Sequence, residues 1–279
     1  VGAGRITAGA TQVSLTTDPT GAELALINAK TSGAITLTDA TQNFTGTATQ
    51  LAAAFDGFAD NALSGAITIS AGTINTTELK TISDATSGAI TLPSTNFTLS
   101  GASSDLADAL SGNFTNYAGA VTLTDAAPSA ANLAIINNKT AGTITLNDNS
   151  ATFSGTTADV AAAFSGGLVG DQDGAITLTD TTGTIAATTL TGITAQTDGA
   201  VSMASGGPTI EGTTVEVTAA LVGAGRITAG ATQVDFTSNP TAAELSAINT
   251  KTSGTLTLHD DSQTFSGTAS DLSGAFAGG

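Results

Sequence analysis

Five aspartates could do chemistry by type and spacing: Asp39, Asp125, Asp148, Asp180 and Asp260, each just past a short apolar-alternating run. A file of carboxylates with further oxygen donors beside them, as in Asp260-Asp261 and Asp148-Asn-Ser150, has the make-up of a row of Ca²⁺ sites, because Ca²⁺ takes oxygen ligands. The same residue in the same place also makes Asx turns, in which the side chain accepts from nearby backbone donors. The nonapeptide G-G-x-G-x-D repeat of Ca²⁺-binding chains is missing, and Asp171-Gln-Asp173-Gly174 is only a fragment of a loop motif, which favours the turn reading. On that reading Ca²⁺ would stiffen the chain without being needed for it to fold, and no other cofactor is implied.

A second pattern is hydroxylic. Thr36/Thr38, Thr122/Thr124 and Thr177/Thr179 form T-x-T pairs, with Thr68/Ser70 close to that form. Stacked T-x-T rows resemble the flat faces of ice-binding solenoids, a remote alternative function. The rows break at Pro93, Asn147, Ala204 and His259, so a solvated Thr ladder is the expected role. His259, the one histidine, stands where Thr38 stands in an earlier copy of the sequence and reads as a surface residue. With no second His and no Cys there is no triad, zinc motif or nucleotide loop, and Val1-Gly-Ala-Gly-Arg5 lacks the glycines that would continue one. The chain therefore reads as not an enzyme. Asn43, Asn75, Asn96, Asn113 and Asn138 open Asn-x-Thr triplets, glycan acceptors in form but common by accident in a Thr-rich chain.

These residues recur because the chain repeats. Residues 1–13 return letter for letter at 222–234, and about two thirds of residues 1–58 match 222–279 at an offset of 221. The chain begins without Met and stops inside its second copy, which reads as a window on a longer polypeptide. A finer beat lies within. Gly33-Ala-Ile-Thr-Leu37 recurs in variant form at Gly65, Gly88, Gly119, Gly142, Gly174 and Gly254, with weaker members at Gly9, Gly199 and Gly230. The gaps alternate, 24, 32, 23, 31, 23, 32, 25, 31 and 24 residues, so a short and a long rung make about 55 residues and four such pairs make the 221-residue block.

Each rung opens on a period-2 run, with Ile35 and Leu37 facing one way and Thr36 and Thr38 the other, the mark of a half-buried strand. Short rungs continue into a helix. Thr20/Glu23 and Thr241/Glu244 fit capping boxes, and Leu24/Ile27, Leu79/Ile82, Leu133/Ile136 and Leu245/Ile248 share a face at i, i+3. Lys30, Lys139 and Lys251 fall near helix ends, where a cation suits the macrodipole, and Gly33, Gly142 and Gly254 are placed to act as left-handed helix stops. Long rungs add a second short strand and then a helix. Phe44/Phe55, Phe153/Phe164, Phe265/Phe276, Leu99/Leu110 and Ile210/Leu221 lie eleven apart, with Leu51, Val160, Val217 and Leu272 between the members of four of these pairs, which predicts core packing rather than a binding role for the aromatics.

The expected fold is thus one continuous α/β solenoid over residues 1–279. One parallel β-sheet would stack from alternating short (about 24-residue) and long (about 31-residue) rungs, with short helices on a right-handed return path. An all-β right-handed solenoid is the alternative if the Ala-rich segments are extended. The net charge is −17, and the six cations, Arg5, Lys30, Lys80, Lys139, Arg226 and Lys251, form no basic patch, so nucleic acid is a poor partner. No stretch is long and apolar enough to enter a bilayer, and the absence of Cys suits life outside a bacterial cell. Taken together, the Gly-Ala-Ile-Thr-Leu-Thr-Asp strands, the Phe-Ser-Gly-Thr-Ala-Asp-Leu-like helices and the missing Cys resemble repeat regions of giant secreted bacterial surface proteins, S-layer-like or adhesin-like chains of marine bacteria and cyanobacteria among them. The resemblance implies a secreted, cell-surface location and a scaffold role: a structural segment of a filament, fibre or coat that continues or polymerises with itself, end to end. The stalk of a large Ca²⁺-dependent adhesin is the alternative. It carries over no functional residue.

Overall fold

The computed structural model describes residues 10–70, 74–93, 97–114, 117–170, 172–204, 206–223 and 225–277. The repeat start at Gly9, Arg5, the triplet at Asn96 and Asp171 lie outside these described residues. The architecture is α/β. Ten helices occur among the described residues: α1 (Gly21–Asn28), α2 (Ala48–Phe55), α3 (Thr76–Ala85), α4 (Ser103–Leu110), α5 (Ala130–Lys139), α6 (Thr157–Phe164), α7 (Ala187–Thr194), α8 (Thr214–Thr218), α9 (Ala242–Asn249) and α10 (Ala269–Ala275). The Ala-rich segments are helical, which removes the all-β alternative. Contacts divide the chain into two units, residues 1–125 with 135–146, and residues 126–134 with 147–279.

Every pairing of strands is parallel, as expected, but the strands do not form one sheet. In the first unit Val13–Ser14 pairs with Ile35–Thr36; Phe44–Gly46, Ile67–Ile69 and Ile90–Thr91 follow one another in a second sheet; Thr98–Gly101, Ala120–Leu123 and Ile144–Thr145 do so in a third. In the second unit one sheet runs through Phe153–Gly155, Ile176–Leu178, Val201–Met203 and Ile227–Thr228, and another through Thr184–Ala186, Thr209–Gly212, Gln233–Phe236 and Leu256–Thr257. The reason is the second strand of the long repeats. In the first unit the first strand of a long repeat pairs back to the preceding short repeat, as Ile35 does to Val13, and the second pairs forward to the next one, as Phe44 does to Ile67. In the second unit the long repeat opening at Gly199 runs through two sheets at once, with Val201 between Ile176 and Ile227 and Ile210 between Ile185 and Val234.

Register places like on like. Phe44, Ile67 and Ile90 align and are buried, as are Leu99, Val121 and Ile144, and in the second unit Phe153, Ile176, Val201 and Ile227. The alternate residues Thr45, Thr68 and Thr91 are exposed. Strands therefore bury one face only, the period-2 outcome. Helices supply the other wall: α1 to α4 pack neighbour on neighbour in the first unit, and α6 to α10 in the second. Two of the three Phe pairs are core, as predicted; in the third, Phe265 is half-buried and Phe276 is exposed, and Leu272 between them is half-buried. Phe44–Phe55 and Phe153–Phe164 each meet edge to face with centroids 5.2 Å apart. That geometry suits ring quadrupoles. Leu51, Val160 and Val217 are fully buried.

Capping is as the sequence indicated and wider. Thr20/Glu23 and Thr241/Glu244 form full capping boxes, and so do Thr47/Gln50, Asn75/Glu78 and Thr213/Glu216. The glycine reading needs correction. Gly33, Gly142 and Gly254 are not left-handed; among the described residues the glycines with positive φ are Gly57, Gly170, Gly183, Gly206, Gly225 and Gly230. The repeat-opening glycines are small for a steric reason. A Cβ on Gly65 would run into the carbonyl oxygen of Gln42, one on Gly88 into that of Gly65, one on Gly174 into that of Ala151, and one on Gly199 into that of Gly174, all nearer than 3.0 Å. Backbone lies directly on backbone there.

Candidate functional site

The five aspartates, equivalent in sequence, fall into two kinds. Asp39 and Asp148 sit in long repeats, between the two strands, and Asp260 follows the strand Leu256–Thr257 of its long repeat. Asp39 Oδ1 accepts from the N–H (2.7 Å) and hydroxyl (2.6 Å) of Thr41. Asp148 does the same with Ser150 (2.8 and 2.6 Å) and Asp260 with Ser262 (2.9 and 2.6 Å). At Asp39 and Asp148 the Asx turn redirects the chain from one sheet to the next. Asp125 and Asp180 sit in short repeats and reach back more than twenty residues. Asp125 accepts from the N–H of Ser103 (3.1 Å) and its hydroxyl (2.6 Å), and Asp180 from the N–H of Thr157 (2.7 Å) and its hydroxyl (2.6 Å), so each carboxylate sits at the N-terminus of the helix in the preceding long repeat. Ser238 takes that place for α8, accepting from Thr214 N–H at 2.9 Å. No group of three or more His, Cys, Asp or Glu is brought together to hold a metal among the described residues.

The hydrogen bonds set the electrostatics. The Thr41 hydroxyl, then its N–H, holds Asp39 below the usual carboxylate range, and Ser150 and Ser262 do the same for Asp148 and Asp260. The backbone N–H of Thr20 and of Thr213, with their hydroxyls second, lower Glu23 and Glu216. A depressed folded value contributes stability above the unfolded value, and that stability is lost as pH falls through the folded one. Acid also relieves the repulsion of a −17 chain. Those charges are solvent-screened within about 8 Å at physiological salt, whereas the turn and cap bonds are direct. The expected result is a melting temperature flat at neutral pH that drops below about pH 4. Thermal melts at 0.15 M salt check it; a rise in melting temperature on acidification overturns it.

The polar feature that the sequence reading missed is a buried Thr two residues before each glycine that opens a long repeat. In Thr86-Ser-Gly88 the Thr hydroxyl donates to the carbonyls of Leu63 (3.3 Å) and Gly65 (3.2 Å) in the preceding repeat and accepts from Gly88 N–H (2.9 Å). Thr140 does so with Tyr117, Gly119 and Gly142, and Thr197 with Gln172 and Gly199. Thr31 and Thr252 hold the same position, bonding Thr11 and Gly33, and Gly230, Thr232 and Gly254. Donor and acceptor are both used, which is how a buried hydroxyl is tolerated. The signal was in the sequence as T-x-G, hidden by the general abundance of Thr.

A backbone bond of one kind also joins each short repeat to the long repeat before it. The N–H groups of Ser70, Thr124, Thr179 and Thr237 donate to the carbonyls of Gly46, Gly101, Gly155 and Gly212, at 2.8, 2.9, 2.9 and 2.9 Å. The Thr rows lie on the exposed sheet face in sets of three or four, such as Thr45–Thr68–Thr91 and Ser154–Thr177–Ser202–Thr228. The row Glu211–Asp235–Thr257 is acidic instead. His259 is exposed. An open groove of about 990 Å³ beside Ile35, Leu37, Phe58 and Leu63 has Asp56 as its ionisable lining residue, so it offers no acid–base pair. No helix among the described residues is long and apolar enough to cross a membrane. No protein-family model, curated protein or solved structure matches this chain.

Proposed function

We propose that the chain is an α/β solenoid and that it serves as a structural segment of an extracellular bacterial filament, fibre or surface coat. Short and long rungs of about 24 and 31 residues would stack with right-handed crossovers, continuing along one chain or from copy to copy. The observation that carries this reading is the recurrence of one joint. Thr86, Thr140, Thr197 and Thr252 each tie their repeat to the backbone of the one before, beside a glycine that lets the two backbones touch. Such joints transmit load through hydrogen bonds and close packing, and the acidic, Cys-free surface keeps neighbouring fibres apart. Catalysis has no part in the reading.

Electron microscopy of native cell-surface material, with antibody raised against this chain, tests it. Continuous label along filaments or a coat is expected. Label confined to the cell interior, or to dispersed globular particles, overturns it.

A further inference from the structure

The opening strand of a long repeat has one side against the preceding short repeat. Its other side is covered by the connector that follows the helix of its own repeat. Ile90 bridges Phe114, and its N–H donates to the Asn113 carbonyl at 2.8 Å. Val201 pairs with Ile227, and its N–H donates to the Arg226 carbonyl at 2.9 Å. Ile90 and Val201 are fully buried. The long repeat opening at Gly33 departs from this. Its connector stays coiled, with Gly57 and Asn61 at φ of 79° and 56°. The N–H groups of Phe58 and Ala62 donate to the carbonyls of Phe55 and Ala59, at 2.9 and 3.0 Å, and the Phe58 ring packs edge to face on Phe55 with centroids 6.2 Å apart. Ile35 therefore pairs with Val13 alone and makes no backbone bond on its other side among the described residues. Ile35 and Leu37 are only half-buried, and the open groove of about 990 Å³ has them on one wall and Phe58, Ala59 and Leu63 on the other. Short repeats pair with this long repeat both before it, at Val13, and after it, at Ile67, so the gap is internal to the array.

We propose that this groove binds an extended segment of a partner polypeptide, parallel to Ile35–Thr36, that carries a basic, a large aliphatic and a hydroxylic residue in succession. The segment that fills the same place in the long repeat opening at Gly199, Arg226-Ile227-Thr228, sets this chemistry. The Arg226 guanidinium donates to the carbonyl of Thr194, the last residue of α7, at 3.2 Å, and to that of Thr197, and it pairs with Asp198. The counterparts of Thr194 and Thr197, 166 residues earlier, are Asn28, the last residue of α1, and Thr31, and both line the groove. Ser32 stands in the place of Asp198, and the carboxylate of the groove is Asp56. A cation suits the C-terminal end of a helix, and a chain of charge −17 draws one in. The register follows from the internal template: the aliphatic residue beside Ile35 and the hydroxylic one beside Thr36, as Ile227 and Thr228 stand beside Val201 and Ser202. Strand addition at an open edge supplies main-chain bonds, and the groove selects the side chains.

The probe is acetyl-Gly-Arg-Ile-Thr-Ala-amide, the sequence of residues 225–229, added to the full chain and read by amide hydrogen exchange. Saturable binding with a Kd on the order of 1 mM is expected. At about ten times that concentration exchange at Ile35 should slow about tenfold. The Val201 amide, already bonded to Arg226, should be unchanged and serves as the control. Peptides carrying Arg226→Asp or Ile227→Pro should each bind at least about tenfold more weakly, the first through charge and the second through a lost N–H and lost aliphatic contact. No slowing over residues 33–37, or equal slowing by all three peptides, overturns the proposal. The protein itself is unaltered throughout, so no outcome is confused with misfolding.

Discussion

Gly65→Ala should cost more than about 4 kcal/mol, the range reached when a substitution forces packed backbone apart. The added methyl meets the carbonyls of Gln42 and Thr41, which are main chain and cannot swing aside as a side chain would. Gln42 and Thr41 are themselves held next to the strand Phe44–Gly46, which pairs with Ile67–Ile69, so relief requires opening that ladder. Gly192→Ala is the internal control. Gly192 lies inside α7 with nothing within 4 Å of a built Cβ, so the exchange should gain up to about 1 kcal/mol from helix propensity alone. Urea unfolding followed by circular dichroism reads both. A Gly65→Ala protein within about 1 kcal/mol of the parent would mean that the repeats do not touch backbone to backbone.

The second large effect is expected at Phe153. Phe153→Ala removes a buried ring that packs edge to face on Phe164, and should cost about 3–5 kcal/mol. The matching change Phe276→Ala, in a pair of the same geometry, should cost less than about 1 kcal/mol in dilute protein, because that ring is largely in water already. A double-mutant cycle over Phe153 and Phe164 should leave about 0.5–1.5 kcal/mol of coupling. Equal losses at Phe153 and Phe276 would show that coverage by the next repeat is not what stabilises these rings.

Much of this is local and so was legible. The alternation in Gly33–Leu37, the boxes at Thr20/Glu23 and Thr241/Glu244, and the eleven-residue spacing of the Phe pairs are short-range patterns with one physical solution each. Partner choice was not legible. Ile35 and Phe44 are nine residues apart in one repeat and look alike, but one pairs with Val13 and the other with Ile67, and only the tertiary arrangement separates them. The same blindness merged the aspartates. Asp39 and Asp125 both follow a strand, yet one closes its own turn and the other reaches back to Ser103. Gly33 follows a helix and so resembles a helix stop in sequence, but its smallness answers to the carbonyl of Thr11 lying against it. The pairing of Thr with glycine two residues on marks the joint, but the abundance of Thr hides it in the sequence.

The two-strand build of the long repeats has a consequence for how such a molecule can change length. A long repeat such as the one opening at Gly33 leaves one sheet and enters the next, so excising a single repeat would set two of the same class face to face. Excising a short repeat together with its long neighbour restores every pairing. Genes for chains of this kind should therefore expand and contract in steps of about 55 codons, the spacing of one such pair in the sequence.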